Sequence, residues 1–144
     1  MSSARTASHA TVESAAQGRS QLRAGAAGAA SATLMNAALW LGGRAADVSF
    51  AVPDSLVPEV DLLSVVLTTP LVFTAGWWLL SKARARGSHR GERNLLIGAG
   101  VFAVLSAAAP VTTAADTASG VLLATMHVLT GAVFVVTAEV TGGR

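Results

Sequence analysis

No Lys, Arg, Asp or Glu occurs in residues 62–80, 95–111 or 120–138, and a fourth uncharged run, 24–43, precedes them. As α-helices rising about 1.5 Å per residue, such runs span most or all of a hydrocarbon core about 30 Å thick. A bilayer offers no water to peptide groups, so a spanning segment must satisfy its own N–H and C=O groups by coiling into a helix. The first run, AGAAGAASATLMNAALWLGG, is mostly Ala and Gly and turns strongly apolar only from Leu34. Its rival assignment is a cleaved leader with Arg19 and Arg23 as the charged region. The long polar stretch ahead of it argues for a retained span, as do three later spans that would otherwise leave the C-terminus outside.

Only 12% of the 144 residues are charged and 52% are hydrophobic. A soluble domain carries about twice that share of charge, so a water-exposed globule is not the expected product. Residues 1–23 are rich in Ser, Ala, Thr and Arg and hold almost no large apolar side chain, the composition of a disordered tail. The expected fold is therefore all-α: a four-transmembrane-helix bundle in residues 24–144 behind a disordered N-terminal tail.

Charge sets the orientation. Nine of the ten Lys and Arg residues fall in the tail, in SKARARGSHRGERN between the second and third runs, or at the C-terminus. The segment between runs one and two holds Arg44 alone, against Asp47, Asp54, Glu59 and Asp61. By the positive-inside rule both termini and the middle loop are cytoplasmic, in a multi-pass plasma-membrane protein. The basic loop reads as a topology signal that also touches lipid headgroups, not as a nucleic-acid patch. The acidic outer loop, with VPDSLVPEVD at its centre, reads as a solvated cap; a cation or a basic partner is the functional alternative. Trp77 and Trp78 at the inner end of run two, and Trp40 near the outer end of run one, are expected at the interfaces.

Helical spacing assigns faces. In the fourth run Gly120, Ala124, His127, Gly131 and Ala138 share one side, while Leu122, Leu123, Leu129, Val133 and Val136 lie on the others. Gly28 with Ala32, and Ala99 with Ala103 and Ala107, repeat the small-residue theme. Such stripes mark close helix approach, within one chain or against a second copy or a partner membrane protein. His127 is thus expected to point inward, about 10 Å below the outer end of its run. Asn36, Thr69, Pro70 and Ser106 lie at similar depth on the other three runs. Pro70 removes a backbone donor and frees the carbonyl of Val66. The five form a candidate intramembrane polar layer, in which a neutral His127 bonds Asn36 or Ser106, or else titrates.

Catalytic chemistry finds no support. The chain lacks cysteine, which excludes disulfide and thiolate chemistry. His9, His89 and His127 fall in three separate regions, so no histidine metal cluster forms. Ser119 and His127 are eight residues apart, about 12 Å along a helix, too far for a nucleophile and its base. Neither cofactor, metal nor nucleic acid is expected.

Several features together resemble a family of small, uncharacterised four-helix membrane proteins of high-GC Gram-positive bacteria. They are the acidic outer loop, Trp77-Trp78-Leu79-Leu80 with the basic loop behind it, Ser106 followed by Pro110, and the Met126-His127 pair. The likeness covers about residues 23–137. It implies the four-helix architecture and marks Met126-His127 as a family feature, but implies no activity, cofactor or catalytic residue. The functional expectation is a non-enzymatic structural or accessory subunit. The alternative is a small proton-coupled transporter or carrier built on His127 and Asn36.

Overall fold

The computed structural model describes residues 3–53, 55 and 58–142, with side chains from Gly18 onward. Four helices follow in order: α1 (Ser3–Ala45), α2 (Leu62–Ala85), α3 (His89–Thr113) and α4 (Thr117–Gly142). Residues 18–23, which composition assigns to the tail, are helical and run unbroken into the first uncharged run. The rest of that expected tail lies outside the residues described in full.

α2, α3 and α4 are each long and apolar enough to cross a membrane. Each extends past its uncharged run, because a helix need not stop where the hydrocarbon does. Local chemistry sets the ends instead. Asp61 caps α2, its Oδ1 accepting from the Ser64 N–H at 2.6 Å. Ser88 caps α3, its Oγ accepting from the Gly91 N–H at 3.0 Å. The turn between them requires Gly87, whose φ of +63° suits a residue without Cβ. Large apolar side chains such as Leu67, Leu71, Val104, Leu105 and Val136 stand bare on the outside. Apolar surface of that extent suits lipid, not water.

α1 is poorer in large apolar residues, but its small ones let it pack close. It runs antiparallel to α2 and α4: Gly25 faces Trp77, Gly28 faces Phe73 and Thr137, and Gly43 faces Phe50 and Leu122. A Cβ at any of these glycines would collide with the facing side chain. α4 packs on α3 in the same manner, Gly131 against Ala103 and Gly120 against the Pro110 carbonyl. The small-residue stripes are thus occupied within the chain.

Two apolar clusters result. Trp77, Phe73 and Phe134 form an aromatic group with Ala29, Ala32, Leu80 and Ala138. Phe50 and Val52 of the loop, with Val65, Leu123 and Met126, form the other. Two expectations about faces change here. Trp77 is buried in the first cluster, with its indole N–H on the Gln21 carbonyl, instead of lying at an interface; Trp78 is exposed, with the Lys82 ammonium 3.8 Å from its ring centroid. Leu123 is buried instead of facing lipid, because the loop folds over the end of α4 and supplies Phe50 as its neighbour.

Candidate functional site

α2 and α3 share a short turn but separate beyond it, while α1 packs on both α2 and α4, and α4 on α3. Between α2 and α3 lies a groove of about 860 Å³, floored by α4 and by Asn36 of α1. Its lining runs from Ser64 to Leu79 on α2 and from Gly91 to Ser106 on α3. Fifteen residues of helix give it a length of about 22 Å. No Lys, Arg, Asp or Glu lines it.

Four of the five polar-layer residues meet there: Asn36, Thr69, Ser106 and His127 all line the groove. Pro70 does not, being turned to another side of α2. Asn36 is the centre. Its Nδ2 donates to Thr69 Oγ1 at 3.2 Å and to Thr130 Oγ1 at 2.9 Å, tying α1 to α2 and to α4. Asn36 is only 3% exposed, and its Oδ1 is buried with no partner. An orphaned acceptor of that kind is costly in any apolar surrounding.

His127 behaves differently from expectation. It bonds neither Asn36 nor Ser106; its Nδ1 lies 2.7 Å from the Leu123 carbonyl, one turn back on α4. A carbonyl only accepts, so Nδ1 carries the hydrogen, and in the uncharged form of the ring Nε2 is the acceptor. The ring is exposed on the groove wall, not enclosed in the bundle. Periodicity placed it on the small-residue side, but that side changes character midway: Gly120 and Gly131 face α3, while His127 sits at the edge where α3 and α2 part. Ser106 is likewise turned back, its hydroxyl donating to the Ala103 carbonyl at 3.1 Å. Thr130 went unnoticed in the sequence, although its position three residues beyond His127 puts it on the same side.

Of the four acidic residues of the outer loop, the three that are described do not converge. Asp47 is exposed just past α1, at φ 58°. Asp54 lies outside the described residues. Glu59 pairs with Arg44 at 3.3 Å across exposed surface. Asp61 caps α2, and the Ser64 hydroxyl and backbone N–H hold its carboxyl below the usual carboxylate range. Among the described residues no three His, Asp or Glu side chains gather to hold a metal ion. The loop is instead a folded lid on the bundle end, joined by an Ala51–Glu59 bridge and sealed by the fully buried Phe50. Asp116 anchors it, accepting from the Ser119 hydroxyl (2.7 Å), the Ser119 N–H (2.8 Å) and the Ser49 hydroxyl (2.8 Å). Those bonds lower its carboxyl from the ordinary value, the Ser119 hydroxyl most. Ser119 Oγ also accepts from the Phe50 N–H at 2.9 Å, which occupies this serine structurally.

At the opposite end, Arg84 is no free member of the basic loop. Its side chain is 9% exposed, bonded to Glu92 at 2.7 Å, to the Ala138 carbonyl at 2.6 Å and to the Thr141 hydroxyl at 3.0 Å. One guanidinium thereby joins α2, α3 and α4.

The arrangement of helices, lid and groove can be set beside known families. A family model described as a family of unknown function, DUF6069, matches residues 16–144. The chain belongs to that family. No curated protein and no solved structure matches it. The DUF6069 match spans all the helical packing described above, including the groove, the Asn36 bonds and Met126-His127.

Proposed function

We propose that this DUF6069 chain is a non-enzymatic accessory subunit of a plasma membrane, with α1 as its fourth span and the groove between α2 and α3 as its working surface. The observation that carries the reading is the use of small residues. Gly25, Gly28 and Gly131 are filled by Trp77, Phe73 and Ala103 of the same chain, whereas the Cβ positions of Gly42, Gly98 and Gly100 meet nothing within 4 Å. Of these open glycines Gly98 lines the groove, which the chain itself leaves unfilled. Charge supports the orientation: nine of ten Lys and Arg residues lie toward the termini and the α2–α3 turn, the bias expected of a cytoplasmic side.

The carrier alternative has less in its favour. A proton path needs a second titrating group within reach, and the groove holds none besides His127. Proteoliposomes test the choice. Proton flux is expected to equal that of protein-free vesicles and to be unchanged by His127→Leu. Flux that wild-type protein supports and His127→Leu abolishes would overturn the accessory reading.

A further inference from the structure

Five polar groups of the groove share a chemical bias. Thr68 donates its hydroxyl hydrogen to the Ser64 carbonyl, Ser106 to that of Ala103 and Thr130 to that of Met126. His127 uses its Nδ1–H on the Leu123 carbonyl, and Asn36 both amide hydrogens on threonines. What these five leave over is lone pairs: His127 Nε2 open on the wall, and Asn36 Oδ1 buried behind it without a donor. They crowd the half of the groove toward the outer loop. The other half is mostly hydrocarbon, with Val72, Leu79, Leu95 and Phe102, and Asn94 as its polar side chain.

We infer that the groove is a binding site for a neutral long-chain membrane alcohol, whose hydroxyl donates to His127 Nε2 while its tail lies along Val72, Leu95 and Phe102. This rests on the groove being the working surface. An ionic headgroup would meet no counter-charge there and would be drawn about 10 Å below the end of the fourth run, at large desolvation cost. A single hydroxyl pays little for that depth once it has an acceptor. A partner helix bonds its own backbone hydrogens within itself, so an apolar one would offer these acceptors no donor.

The test uses the full chain in nanodiscs with photoactivatable diacylglycerol, its O-acetylated derivative and phosphatidic acid of the same chains. Diacylglycerol is expected to label α2 and α3 groove peptides about fivefold more than either comparator, the scale of one hydrogen bond. His127→Phe should bring it down to the acetylated level. Gly98→Leu, whose side chain enters open space, should remove groove labelling while helicity and monodisperse elution persist. Competition by an unlabelled isoprenoid alcohol, against unlabelled diacylglycerol, tells which source of the hydroxyl is preferred. Equal labelling by all three lipids, preference for phosphatidic acid, or indifference to His127→Phe would overturn the inference. If Gly98→Leu still removes that undiscriminating label, the groove remains a binding surface and only the alcohol is wrong. If Gly98→Leu changes nothing, the groove reading falls too.

Discussion

Asn36 shows what a single polar residue does in an apolar bundle. Its amide links three helices, but one end is orphaned, so the residue both holds and strains its surroundings. Asn36→Ala should lower stability by about 1–2 kcal/mol, having lost two interhelical bonds and left a void. Asn36→Leu should cost less, because it fills the space and removes the unsatisfied oxygen. Thermal unfolding in detergent orders the two; a larger loss for Leu would contradict the orphaned acceptor. Asp116 has a different role, at the lid. Its folded carboxyl titrates lower than in the unfolded chain, so its contribution is present above the unfolded value near 4 and disappears as pH falls through the folded one. Hydrogen-exchange protection of the Phe50 and Ser119 amides, taken relative to their intrinsic exchange rate, should therefore fall below about pH 4, and Asp116→Asn should show low protection at neutral pH. Protection that ignores both changes would mean the lid is held elsewhere. That Asn36 and His127 belong to one polar layer was legible from their rarity in uncharged runs, and both line the groove. Their partners were not, because Thr130 and the Leu123 carbonyl carry no such mark.

At the scale of elements, seams and clamps can be separated by substitution. Gly131→Ala puts a Cβ onto Ala103 and should force α3 from α4, costing about 1–3 kcal/mol. Gly98→Ala enters open groove and should be neutral or stabilise by up to about 1 kcal/mol, as alanine suits a helix better than glycine. Equal effects would show that α2 and α3 are not parted. Arg84→Ala leaves Glu92 without its guanidinium and should cost about 3 kcal/mol, with little rescue by Lys, which cannot serve three acceptors in a fork. Helix existence and order were readable because uncharged length and periodicity are strong signals. The neighbours of each helix were not. Periodicity finds the small face of α4 but cannot say that one part of it meets α3 and the next part meets an opening. Arg84 hides for a similar reason: a buried clamp and a topology charge look alike in a basic loop.

The whole molecule is a four-helix bundle with three helices apolar enough to cross a membrane, closed at one end by the Phe50 lid and at the other by Arg84, with a side seam left for an occupant. Its topology has a direct readout, since a C-terminal reporter active only outside the cell should stay silent while one in the 44–61 loop is active. The central claim is that the seam between α2 and α3 is filled in the membrane by something other than this chain. Native mass spectrometry of the protein released from mild detergent tests it most directly, comparing wild type with Gly98→Leu. Wild type should carry a retained lipid mass that Gly98→Leu lacks. The same adduct on both proteins, or none on either, would contradict the account.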